Sequence, residues 1–218
     1  MGRYLRKVKR WTPTLDHLVY ATPDLPADAD RIGRRLGVQL TEGGRHLGRG
    51  TRNVLLDLGF SAYLEIIGPD TDAPEPETPR PLGIDALTAP RLVTWAVQVD
   101  DIDKAVARAL ARGYDPGPVQ AMSRERPDGT RLDWRLTVWS GDGDGLVPFL
   151  IEWGTGVLHP SRTSAPGCRL VRFDAEHPAP DSIRPWLEAL GVELTVRPAP
   201  APALVAVIEG PGGTVELR

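Results

Sequence analysis

Three side chains in this sequence have the types and settings to do chemistry together. His17 sits in LDHLVYATPDL (Leu15 to Leu25), Glu65 in AYLEIIG and Glu152 in PFLIEWG. Each is a polar group set in an apolar run. A carboxylate buried there without a partner would be costly, so Glu65 and Glu152 each call for one, unless they lie on the solvent face of a strand. A neutral imidazole and two carboxylates suit a divalent ion such as iron, manganese, zinc or nickel. Three ligands would leave positions open for a substrate offering two adjacent oxygens, and a displaced Glu65 or Glu152 could then move a proton as the catalytic base.

The elements that must position these groups recur along the chain. The first copy runs from strand Leu15–Ala21 through a helix beginning at Pro26 and stopping at Gly37. Short strands at Val38–Leu40, Asn53–Leu58 and Ala62–Ile67 follow, with a Gly-rich turn at Gly43-Gly44 and a hairpin at Gly59-Phe60-Ser61. The second copy repeats the order: strand Leu92–Val99, helix Ile102–Ala111, Gly113 as its stop, then strands at Val119–Met122, Leu132–Trp139 and Pro148–Trp153. A fainter third copy starts near CRLVRF (Cys168 to Phe173), passes through a helix near Pro180 to Leu190 and ends in TVEL with Glu216, read as structural. The expected organisation is a basic arm (1–14), a first βαβββ module (15–68), a Pro-rich linker (69–90), a second module (91–154), a connector (155–167) and a third module (168–218). The fold class is α+β.

Composition excludes several functions. With 218 residues, 41% hydrophobic and 25% charged, and a formal charge of -3, the chain gives no reason to expect nucleic acid as a partner. The basic residues Arg3, Arg6, Lys7, Lys9 and Arg10 read as a solvated arm lacking the apolar stretch of a secretory signal, and no run is long enough to span a membrane. The single cysteine, Cys168, permits no disulfide within the chain; it fits a cytoplasmic location and reads as a buried strand residue. His159 and His177 stand beside prolines in connecting segments and read as exposed; Trp139, Trp153 and Trp186 read as core.

The pattern resembles the vicinal-oxygen-chelate superfamily, and within it the glyoxalase-like proteins. The resemblance is carried by LDHLVYATPDL, GRHLGRGTRNVLLDLG with AYLEIIGPD, and the second-copy LVTWAVQVDDI with VPFLIEWG. It implies two βαβββ modules paired into a cupped sheet, with metal held by first and last strands of each module: His17, Glu65 and Glu152. At the fourth position, matching Asp24-Leu25 to Asp101-Ile102 places Thr94 opposite His17, and Thr is a poor ligand. The resemblance raises interest in His46, Thr51 and Asn53, while Trp134 or Arg135 could wall the cup; His46, Asn53, Thr94 and Trp134 are the candidate substrate-binding residues. The implied function is a metal-dependent lyase, isomerase or dioxygenase acting on a small oxygenated molecule. The alternative is a non-catalytic protein that binds or sequesters a small ligand. Either could be a monomer or a homodimer.

Overall fold

The computed structural model describes residues 13–125, 129–138 and 143–218, with Glu125 described in its backbone alone. The basic arm to residue 12, Trp139 and residues 140–142 lie outside these residues.

Two βαβββ halves come first. One comprises β1 (Thr14–Ala21), α1 (Leu25–Leu36), β2 (Thr41–His46), β3 (Thr51–Gly59) and β4 (Ala62–Pro69). The other comprises β5 (Arg91–Gln98), α2 (Ile102–Leu110), β6 (Val119–Glu125), β7 (Arg131–Thr137) and β8 (Phe149–Trp153). Both helices start the same way. Asp24 caps α1 by accepting from Ala27 N at 3.1 Å, and Asp101 caps α2 by accepting from Lys104 N at 3.0 Å. Gly37 ends α1 in the left-handed conformation.

The eight strands close into a barrel in the order β1-β4-β3-β2-β6-β7-β8-β5. Strand alternation sorts the side chains. Leu18, Tyr20, Leu64, Ile66, Trp95, Val97 and Leu150 point outward into the main core with the helices. Val19, Ala21, Ile67, Ala96 and Ile151 point inward. Burying an aliphatic side chain such as Leu18 or Leu64, both at 0% exposure, contributes about 1.5–3 kcal/mol.

The expected strand at 38–40 and turn at Gly43-Gly44 are replaced by a strand from Thr41 that contains both glycines. Gly43 is there for space: a Cβ on it would lie 2.2 Å from Asn53 Oδ1 and 2.8 Å from Arg124 Nη1. The chain instead reverses at Leu47–Gly50, where Gly48 and Gly50 take positive φ. The Pro-rich stretch after β4 is also structured. It carries a 3-10 turn (Pro81–Ala86) whose Ile84 packs against Val19, Ala21 and Ile67 inside the barrel.

The third unit has β9 (Arg169–His177), α3 (Pro180–Leu190), β10 (Val196–Pro198), β11 (Ala203–Gly210) and β12 (Gly213–Leu217). Its element order repeats the βαβββ pattern, but its pairing differs. The sheet runs β10-β9-β11-β12, with the first strand inside and the last at an edge. It packs on the barrel's helical side: Phe173 meets Trp95 edge-on, Trp186 lies against Tyr114, and Gly212 N donates to Leu36 O at 2.8 Å. Cys168 is buried there, as expected, and burial raises its thiol pKa. Glu216 pairs with Arg172 and Arg218, which also hold Asp174 and Glu176.

Candidate functional site

The site begins with an irregularity in β1. Leu15 pairs with Val97 and His17 with Ala96, so Asp16 and His17 together oppose one step of β5. A bulge of this kind breaks the alternation of side chains. Leu15 packs on the outer core while Asp16 and His17, 0% and 4% exposed, join the same inward cluster. His17 Nδ1 lies 2.6 Å from Asp16 Oδ1. The other oxygen, Asp16 Oδ2, accepts from Trp153 Nε1 and meets His159 Nε2, both at 2.9 Å. Burial alone would raise the Asp16 pKa, but the hydrogen bonds to His159 and His17 outweigh it and hold the carboxyl well below the ordinary range.

Aromatic rings fix the imidazoles. Tyr63 stacks on His17 at 4.7 Å and 20°, Phe149 meets His17 edge-on at 5.5 Å, and Trp153 meets His159 edge-on at 5.4 Å. Burial raises the Tyr63 pKa well above its ordinary value, with the charges of Asp16 and Glu65 adding to it, so the hydroxyl stays neutral.

Glu65 lies one residue from Leu64 and Ile66 and therefore points inward. Its carboxylate stands between two imidazoles: His17 Nε2 is 3.7 Å from Oε2, and His46 Nε2 is 3.7 Å from Oε1. Asn53 Nδ2 donates to Oε1, and Asn53 Oδ1 accepts from the buried Arg124 at 3.3 Å. His46 Nδ1 is 3.0 Å from Thr51 Oγ1. Burial lowers the His46 pKa; Glu65 pulls it upward, and Arg124 and Arg49 push it further down.

Four of the sequence candidates, His17, His46, Asn53 and Glu65, thus come together. Thr94 also faces the interior, paired with Val19, and Trp134 lies in the inner layer beside Trp153. Glu152 does not join them. It lies between the inward Ile151 and Trp153, so its side chain projects to the helix side. There Oε2 accepts from Ile102 N at 2.9 Å, at the start of α2, and stands 3.6 Å from Arg135 Nη1. The expected ligand set of His17, Glu65 and Glu152 is therefore divided between two faces of the sheet. Among the described residues, no group of three or more His, Cys, Asp or Glu side chains is arranged to hold a metal ion. The donors expected for iron, manganese, zinc or nickel do not fit that role here.

The registers explain the division. His17 and Thr94 each stand seven residues before a helix N-cap (17 to 24, 94 to 101). The pair His17–Ala96 is mirrored by Val19–Thr94 around the pair Leu18–Trp95. In β4, Glu65 faces Val19; in β8, the residue facing the equivalent Ala96 is Phe149. Phe149 therefore occupies the second half's counterpart of the Glu65 position.

A cleft of about 260 Å³ opens elsewhere, over the rows Ala121-Arg135-Glu152 and Ser123-Asp133 on the outer face of β6, β7 and β8. It lies across the sheet from His17 and Glu65, so cleft and reactive cluster do not coincide.

Sequence reasoning missed Asp16, Trp153, His159 and Arg124. Asp16 reads as the outward neighbour of His17 until the bulge is known. His159, expected to be exposed, has a side chain only 16% exposed because the connector folds back onto Asp16. His177 is likewise sheltered, 3.6 Å from Asp144. No helix among the described residues is long and apolar enough to cross a membrane.

The glyoxalase-like domain family matches the chain over residues 15–191. A comparison with curated proteins found no match. Among solved structures, a hypothetical protein from Staphylococcus aureus aligns with a TM-score of 0.65 at 13% identity, covering 94% of this chain and 98% of that one. Methylmalonyl-CoA epimerase from Mycobacterium tuberculosis aligns at 0.42 and 20% identity over 64% of this chain and 85% of its own. A Streptomyces coelicolor methylmalonyl-CoA epimerase in complex with 2-nitronate-propionyl-CoA aligns at 0.41 and 18% identity, over 65% of this chain and 97% of its own. The paired βαβββ barrel and the match across most of the sequence place this chain in the glyoxalase-like domain family of the vicinal-oxygen-chelate superfamily.

Proposed function

We propose that this protein is an isomerase or lyase that moves a proton on a small oxygenated molecule, with Glu65 as base and His17 as its partner. One observation carries the reading: a single inward carboxylate has an imidazole Nε2 at 3.7 Å from each of its oxygens. General acid–base catalysis needs groups within about 2.6–3.2 Å of the proton they move, and such contacts are often longer before substrate binds. Glu65, oriented by the Asn53 amide, takes a proton from a carbon next to a carbonyl. The electron pair of that C–H bond moves onto the carbonyl oxygen as an enolate. On a 2-hydroxy carbonyl substrate the proton returns to the former carbonyl carbon while the hydroxyl proton passes to the former carbonyl oxygen through the flanking imidazoles. Carbonyl and hydroxyl thus exchange places, and no outside oxidant or reductant is consumed. The rings of Tyr63 and Phe149 pack on His17, whose side chain is 5% exposed beside Glu65 at 13%, a low-dielectric setting that strengthens these interactions.

The same aromatic lining supports a second reading, a protein that binds a small ligand without turnover. Incubation with a panel of small 2-hydroxy and 2-oxo carbonyl compounds in deuterated water separates the two. Deuterium appearing at the carbon beside the carbonyl, and abolished in Glu65→Gln, supports the enzyme. Saturable binding with no deuterium incorporation across the panel replaces it with the binder.

A further inference from the structure

Asp16 and His159 lie behind His17, away from Glu65, and the proton transfer proposed above does not by itself require them. Asp16 is fully buried, and its ionised form can only accept hydrogen bonds. Every neighbour within reach must therefore present a proton to it. Trp153 Nε1 can only donate. His159 Nδ1 accepts from the backbone N–H of Ser161 at 3.3 Å and stands 2.9 Å from Ser161 Oγ, whose hydroxyl can also donate to it, which assigns the ring proton to Nε2, facing Asp16 Oδ2. The remaining oxygen, Oδ1, is left to His17 Nδ1 at 2.6 Å.

We infer that Asp16 and His159 are positioning residues that hold His17 in the Nδ1–H tautomer, so that its Nε2 lone pair faces Glu65 and the substrate. The bulge at Asp16 supports this, because regular alternation would send that carboxylate to the outer face, away from the imidazole it bonds. Hydrogen bonds to a charged group are roughly twice as strong as neutral ones, so the arrangement outweighs the small intrinsic preference of an imidazole for either tautomer. Oδ2, held by Trp153 and His159, cannot turn toward another donor. The ring of His17 also stacks on Tyr63 and meets Phe149 edge-on, contacts that oppose a flip exchanging its two nitrogens.

The role given to His17 rests on the reading of Glu65 as base, yet its test needs neither substrate nor turnover. Long-range ¹H–¹⁵N spectra of the full chain, labelled at histidine and assigned with His17→Gln, report the tautomer directly. The expected result is a His17 Nδ1–H pattern with a slowly exchanging Nδ1 proton. Asp16→Asn should abolish the protected proton. His159→Ala opens Asp16 to water and should speed Nδ1–H exchange by about tenfold or more, the loss of one charge-assisted hydrogen bond. His159→Gln, whose amide can still donate to Asp16, should restore most of the protection; a purely structural role would not be rescued in this way. If Asp16→Asn fails to fold, the His159 pair and the wild-type tautomer still decide. A wild-type His17 protonated on Nε2, or exchange unchanged in His159→Ala, overturns the inference. Neither result touches the deuterium test of Glu65, so the two proposals fail separately.

Discussion

Glu65 and Phe149 occupy equivalent places in the two halves of the barrel. Each lies in parallel register with the residue five positions before its helix N-cap, Val19 before Asp24 and Ala96 before Asp101. One half thus presents a carboxylate to the interior and the other a phenyl ring, which makes the reactive cluster one-sided.

Glu65 should carry the chemistry. Replacing it with Gln keeps its volume and its bond to Asn53 but removes the base, and general-base removal costs about 10²–10⁴ in rate. Proton exchange at the substrate carbon should fall by that factor while thermal stability changes little. Retained exchange in Glu65→Gln would move the base elsewhere.

Glu152 should matter for folding instead. Its carboxylate accepts from Ile102 N at the start of α2, where negative charge is favoured by the helix dipole. Glu152→Gln keeps an oxygen that can accept from Ile102 N but removes the charge, and should lower unfolding free energy by about 0.3–1 kcal/mol. Denaturant titration measures this, and bound-metal content should be the same as in the wild type.

Gly43→Ala should disturb the support of Glu65 from behind. The added methyl meets Asn53, Arg124 and Leu55, all within 2.9 Å of its position. Overpacking of this kind costs about 1–3 kcal/mol. Thermal unfolding should show the loss, accompanied by weakened proton exchange because Asn53 no longer orients Glu65.

Acid should destabilise the protein in two stages. His46 has its pKa lowered by burial, so below the ordinary histidine value of about 6.5 the unfolded chain takes up a proton that the folded one resists. Stability therefore falls as pH drops through that value, and His46→Gln should flatten this stage. Asp16 has its pKa depressed in the fold by its hydrogen bonds. Its contribution is full above the unfolded value of about 3.9 and is lost as pH falls below it. Stability curves measured from pH 8 to pH 3 by denaturant midpoint check both stages.

The architecture was legible because the repeat is written in features that local chemistry fixes. Asp24 and Asp101 cap helices, Gly37 ends one, and the apolar runs of β1 and β5 specify buried strands. His17 and Glu65 can be picked out from their places in the repeat, whereas His46 and Asn53 are singled out only by the resemblance of GRHLGRGTRN to glyoxalase-like sequences. Glu152 was misplaced because similarity between AYLEIIG and PFLIEWG aligns the two acids, whereas strand register aligns Glu65 with Phe149; a shift of three residues reverses the face. Asp16 and His159 were hidden for different reasons. A bulge depends on cross-strand pairing that no single segment encodes, and the connector's fold-back depends on a buried carboxylate waiting for its imidazole. In the third unit the order of elements could be read, but not its pairing, because β9 takes β10 and β11 as neighbours through tertiary packing.

The most direct measurement compares Glu65→Gln with Glu152→Gln on one substrate that wild-type protein deuterates, under identical conditions. The expected outcome is that Glu65→Gln loses about 10²–10⁴ of the exchange rate while Glu152→Gln keeps wild-type exchange. An equal loss in both variants, or a loss in Glu152→Gln alone, would contradict an interior with a single working carboxylate.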